Sequence, residues 1–134
     1  INWCREKKIK VGLTIGLYTP LSFVEESIYD IDRLHIVVHG VDETDGKDNW
    51  SWRKSCLDLL KRARKLVDDK NPKCEIAIDG GIRANNLEEL IKCDPDVVVF
   101  SSAIFKDPEG ITSAVKKCRS SINNAQVNWI SIQK

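Results

Sequence analysis

One stretch constrains this chain more than any other: Cys74-Glu75-Ile76-Ala77-Ile78-Asp79-Gly80-Gly81-Ile82. An Ile-rich run bounded by turn residues reads as a buried strand. Side chains alternate along a strand, so Asp79 shares a face with Ala77 and Glu75, and Ile76 and Ile78 take the other. A carboxylate at the end of such a strand is either a structural cap or a working acid/base. Gly80 and Gly81 let the backbone come close to a ligand and present its N–H groups, which suits an anion such as phosphate. The plain alternative is a tight turn after a strand.

The rest of the chain repeats a strand-then-helix pattern. Ile1 to Lys8 reads as the last turns of a helix, with cations near its C-terminus. Lys10–Leu17 reads as a strand. Thr19 then caps a short helix that has Pro20 at its first position and ends near Asp30. Leu34–His39 is the second strand, with His35, Val37 and His39 on one face and Leu34, Ile36 and Val38 on the other. An acidic loop, residues 40–49, is either a binding loop or a solvated insertion. Trp50 and Trp52 after it are expected to anchor it against the domain, or one of them to stack on a ligand. A long helix from about Ser51 to Asp68 follows, with Cys56, Leu60, Ala63 and Val67 at helical spacing and Leu57 and Leu66 widening the stripe.

After the Asp79 strand comes a helix carrying Leu87, Leu90 and Ile91, broken by Asp94-Pro95. Asp96–Phe100 is a near-continuous apolar run, the kind buried in a parallel sheet. It opens into Ser101-Ser102-Ala103-Ile104-Phe105. Asp107-Pro108-Glu109 starts a last helix with Ile111, Ala114, Val115, Cys118 and Ile122 as its stripe. Residues 123–134 are expected to add a short strand or to trail as a flexible tail. Strand-helix four times over is an α/β pattern with a parallel sheet. Four such units make half of a (β/α)8 TIM barrel, or a small open sheet. Barrel sites sit where the strands end, and phosphate often binds after the last two strands. Those places are Gly80-Gly81 and Ser101-Ser102 here.

Length and charge exclude several classes. At 134 residues the chain fits one domain, and a net charge of +1 points to neither nucleic acid nor an anionic membrane. The Lys61–Lys65 charge run therefore reads as a solvated helix face. No apolar run reaches membrane-spanning length. Five scattered cysteines without a CxxC argue for reduced thiols and a cytoplasmic setting. The chain begins at Ile1 and has no Met, as expected of a segment of a longer protein.

Three pieces together carry a resemblance: Val11-Gly12-Leu13 with Thr19-Pro20-Leu21; Ile78-Asp79-Gly80-Gly81-Ile82; and Asp96-Val97-Val98-Val99 followed by Ser102-Ala103-Ile104-Phe105. From about Lys10 to Ile122 the chain resembles the C-terminal half of the ribulose-phosphate 3-epimerases, barrel strands five to eight. The resemblance implies an isomerase of carbohydrate metabolism that acts on a sugar phosphate. In that family a proton alpha to a carbonyl is removed and returned on the opposite face. Two aspartates act as acid and base, and a divalent metal cation stabilises the charge. By the same resemblance Asp79 is a catalytic acid/base and a metal ligand. Gly80 and Gly81 form the phosphate turn, and Ser102 matches the serine of a Gly-Ser pair, with Ser101 in the glycine's place.

The sequence also departs from the family. The remaining metal ligands, two histidines and an aspartate, lie on strands two and three, which this chain lacks. The glycine-rich strand-six loop is replaced by residues 37–45. Three readings follow: a sugar-phosphate epimerase whose activity in this chain alone is in question, a non-catalytic, phosphate-binding or interaction protein, or another phosphate-binding barrel enzyme. Under the first, a homo-oligomer or a separate N-terminal half completes the barrel. A half-barrel is then expected to expose an apolar inner face. His39 either pairs with Asp79 or contacts substrate, or is an exposed strand-end histidine without chemistry. His35 reads as a packed histidine. Arg83 either meets a phosphate or is an ordinary exposed loop arginine.

Overall fold

The computed structural model describes residues 1–38 and 50–132, with the backbone alone described at 50–53 and 127–132. His39 and the 40–49 loop lie outside the described residues, as do the side chains of Trp50 and Trp52. The elements are α1 (Asn2–Glu6), β1 (Gly12–Gly16), two 3₁₀ turns (Leu21–Phe23 and Ile28–Asp30), β2 (Arg33–Val37), α2 (Trp50–Lys70), β3 (Glu75–Asp79), α3 (Leu87–Ile91), β4 (Val97–Val99), α4 (Ser102–Phe105) and α5 (Ile111–Ile132).

The strands form one parallel sheet in the order β1-β2-β3-β4. Parallel crossovers have one hand, so a strictly sequential order stacks the connecting segments on a single face. An open doubly wound sheet instead reverses its order and is covered on both sides. The sequential order is that of the (β/α)8 barrel, and the chain supplies four of its strand-helix units.

The parallel register puts Leu13, Leu34, Ile76 and their alternates on one face. Leu34, Ile36, Ile76 and Ile78 are fully buried there, and Ile15 nearly so. The helix layer meets them with Cys56, Leu60, Ala63 and Val67, also buried. Burying one such Leu or Ile side chain contributes about 1.5–3 kcal/mol. Burial, together with neighbouring Cys93, pushes the Cys56 thiol up to about 12. None of the five cysteines is in a disulfide. Among the described residues no helix is long and apolar enough to cross a membrane.

Two aspartates fasten the sheet in the same way. Asp32, just before β2, accepts the Val11 N–H at 2.7 Å and gives its own N–H to the Val11 carbonyl. Asp96, just before β4, accepts the Ile76 N–H at 2.7 Å and returns its N–H to the Ile76 carbonyl. Each clamp locks the start of an even-numbered strand to the strand before it. Asp96 also receives Arg64 Nη1 at 3.0 Å, which ties α2 to the foot of the sheet.

Three expectations are corrected. The segment after Thr19-Pro20 is not an α-helix but two 3₁₀ turns. The Thr19 hydroxyl accepts the Gly16 N–H at 3.1 Å, so it closes a turn back onto β1 instead of capping a helix. The last helix starts at Ile111, after Gly110, whose φ of +87° suits glycine; Asp107 spends its carboxylate on the Glu109 N–H. That helix continues through the stretch expected to trail, as far as Ile132, and buries Ala125 one turn beyond Ile122.

Candidate functional site

The face that no helix covers among the described residues carries Gly12, Thr14 and Gly16 of β1, Arg33, His35 and Val37 of β2, Glu75, Ala77 and Asp79 of β3, and Val97 and Val99 of β4. It is not the apolar patch expected of a half-barrel. Among the described residues, none of the exposed large hydrophobics lies on a strand. Ionic and polar side chains alternate with small apolar ones, and Arg33 and Glu75 pair across β2 and β3. Only Ala77 is buried on this face, at 1% exposure.

Asp79 closes β3, level with Val37 on one side and Val99 on the other. Its carbonyl accepts the Val38 N–H at 2.8 Å, which pins the strand end. Its side chain is about a quarter exposed, at 23%. A half-buried carboxylate at the C-terminal rim of a parallel sheet can hold a proton or face a cation while remaining open to a ligand.

Gly80 and Gly81 follow with φ of 111° and 62°. The Gly80 value is one that L side chains rarely adopt, whereas the Gly81 value lies in the left-handed region that Lys8 and Asp94 also occupy, at φ of 58° and 56°. Beyond them Asn86 holds the loop in shape. Its amide donates to the Gly81 carbonyl at 2.9 Å, and its side-chain oxygen accepts the Arg83 N–H at 2.9 Å. Sequence reasoning missed this residue, although an Asn three positions after a loop Arg is a usable turn signal. Arg83 is exposed.

Ser101 and Ser102 leave β4 next to that turn. Asp79 and Val99 are register partners, so the two turns emerge from neighbouring strands at the same level, about 4.8 Å apart at the strands. Ser101 precedes α4 with its side chain uninvolved in capping, and its carbonyl accepts the Ile104 and Phe105 N–H groups. Asp79, Gly80, Gly81, Ser101 and Ser102 therefore gather at one rim of the sheet.

His35 is not the packed histidine expected. Its side chain is about a third exposed, and its Nε2 lies 3.9 Å from Asp79 Oδ2. That nitrogen is shielded from water and has no hydrogen-bond partner among the described residues. Alternation put His35 on the right face, and the β2–β3 register, with His35 opposite Ala77, is what brings it next to Asp79. Among the described residues no group of three or more His, Cys, Asp or Glu side chains comes together. A groove of about 280 Å³ lined by Leu21, Glu25, Arg62, Leu66 and Asp69 belongs to the helix layer, away from this rim.

Comparison with known proteins agrees with this arrangement. The Ribulose-phosphate 3 epimerase family matches residues 1–105. A ribulose-phosphate 3-epimerase of Aquifex aeolicus (strain VF5) is 33% identical over 114 residues, covering 84% of this chain and 50% of the relative. One of Serratia marcescens is 30% identical over 109 residues, covering 81% and 50%. One of Escherichia coli (strain K12) is 30% identical over 105 residues, covering 78% and 45%. The chain spans about half the length of the curated relatives it matches. Sequential parallel strands, a carboxylate at the rim and a match over most of its length lead to one conclusion: this chain belongs to the ribulose-phosphate 3-epimerase family.

Proposed function

We propose that this chain provides strands five to eight of a sugar-phosphate epimerase, with Asp79 as one of its two acid/base groups. The observation that carries this reading is the position of Asp79, at the rim end of β3 with a phosphate-suited turn directly after it. Proton abstraction alpha to a carbonyl needs a base within hydrogen-bond reach of that carbon, on a rigid element. Asp79 sits on a strand held on both sides, so its carboxylate is positioned before substrate arrives. The backbone N–H groups near Gly81 and Ser102 are the proposed anchor for the phosphate, with Gly80 and Ser101 shaping their turns.

A divalent cation, when bound, stabilises negative charge on the substrate oxygen. Asp79 is the carboxylate that would hold such a cation here; among the described residues no group of three or more His, Cys, Asp or Glu side chains stands with it, so the further donors would come from the complementary half. Among the described residues the face away from the helices is uncovered and the outer edges of β1 and β4 have no strand partner; this calls for a complementary half, and we assign that place to a second copy or to a polypeptide bearing the first four strands. Unpaired parallel edges favour association. A non-catalytic phosphate-binding role is the second reading, favoured by the Ser101 side chain at the phosphate turn.

Phosphate titration followed by amide NMR tests the anchor. The largest shifts are expected at Gly81 and Ser102. Shifts confined to the Arg62 groove, or none at the rim, would remove the phosphate site from this chain. Solvent deuterium entering a pentulose phosphate, with the complementary half present, separates the epimerase from the phosphate-binding protein.

A further inference from the structure

Among the described residues one buried side-chain polar atom has no hydrogen-bond partner: Nε2 of His35. A nitrogen sealed from solvent cannot turn to water, and leaving it unmatched costs free energy. Its partner has to come from the protein.

The levels of the open face narrow the choice. His35 stands opposite Ala77, which offers only a methyl group. The imidazole nevertheless reaches the next level of β3, where Nε2 lies 3.9 Å from Asp79 Oδ2. The other carboxylate on this face of β3, Glu75, is already engaged by Arg33, through Nε at 3.0 Å and Nη2 at 2.6 Å. N–H···O hydrogen bonds end near ~3.2 Å, so a movement of less than about 1 Å by either side chain joins His35 to Asp79. Catalytic hydrogen bonds are often long before substrate arrives and tighten once it is bound.

We infer that His35 is a positioning residue for Asp79: its Nε2–H donates to Oδ2 in the substrate complex and holds the carboxylate at the angle that proton transfer needs. The inference rests on the reading of Asp79 as an acid/base and adds the group that aims it. Fixing one carboxylate oxygen fixes the direction of the other, which is the oxygen that exchanges the proton. The sealed setting suits this task, because water cannot compete for the N–H. His35 acts from β2, one level below the rim, and through Asp79 alone.

Two measurements test this. In the full folded chain, long-range ¹H–¹⁵N spectra of the imidazoles should show the His35 proton on Nε2, the signal being assigned by its loss in His35→Leu. Asp79→Ala should shift that nitrogen while the backbone amide spectrum is kept. In the epimerase assembled with its complementary half, His35→Leu keeps bulk and removes the donor. It should lower kcat for solvent-proton exchange about tenfold, with KM nearly unchanged, the mark of an interaction made in the transition state. His35→Gln, which can place an amide N–H near the Nε2 position, should restore most of the rate. An Nε2 without a proton, or one indifferent to Asp79→Ala, would overturn the inference. So would a Gln variant as slow as the Leu variant, which would mean that the ring only packs. If Asp79→Asn abolishes exchange while His35→Leu keeps full kcat, the positioning role falls and the reading of Asp79 stands. If Asp79→Asn leaves exchange normal, both fall.

Discussion

The two faces of the sheet are made by the same four strands and have almost nothing in common. On the covered face, Leu34, Ile36, Ile76 and Ile78 are fully buried against Leu60, Ala63 and Val67. On the open face, Thr14 is exposed, His35, Val37, Asp79, Val97 and Val99 are half-buried, and Arg33 pairs with Glu75. A period of two divides each strand between these tasks. One face supplies the hydrophobic stabilisation, so the other is free to carry groups that a core could not hold. Stability and chemistry can therefore be altered separately in this chain.

The largest separation is expected at Asp79. Asp79→Asn, assayed with the complementary half present, should lower proton exchange by about 10²–10⁴-fold while the melting temperature stays within a few degrees. Normal exchange in the folded variant would remove Asp79 from the chemistry. On the covered face the order is reversed. Leu60→Ala deletes a fully buried side chain facing the sheet and should cost about 2–5 kcal/mol in urea denaturation. A cost under ~1 kcal/mol would mean that α2 is not seated as described.

The clamps at the foot of the sheet should show a smaller effect. Asp96→Ala leaves the Ile76 N–H and the Arg64 guanidinium without their shared acceptor, which should cost about 1–3 kcal/mol. Faster amide exchange at Ile76 would locate the loss. Smallest of all should be Thr14→Ala on the open face, where the side chain is exposed. It should change stability by no more than ~0.5 kcal/mol. A larger loss in the isolated chain would show that something already covers this face.

The covered face was legible in the sequence. Its residues form apolar runs, and α2 repeats Cys56, Leu60, Ala63 and Val67 at helical spacing. The Gly80-Gly81 turn was legible because paired glycines directly after an apolar run mark a turn, and Gly80 sits at a φ of 111° that side chains rarely adopt. The segment after Thr19 was misread because a hydroxyl serves a helix cap and a turn equally well, and its actual partner, the Gly16 N–H, is upstream of it. The last helix was cut short because Asn123 and Asn124 are weak helix formers; packing at Ala125 carries the helix past them. The character of the open face was missed by treating a barrel interior as apolar in general. His35 was missed because alternation assigns a face, whereas its encounter with Asp79 depends on the register between strands that lie far apart in sequence.

The central claim is that the open face holds half of a site and needs a second half to work. The direct measurement is solvent-deuterium incorporation into a pentulose phosphate, supplied with a divalent metal, by the gel-filtered 15.2 kDa species. The account predicts no incorporation above background from that monomer. Sustained incorporation by the monomer would contradict it, because the four strands would then carry a complete site of their own.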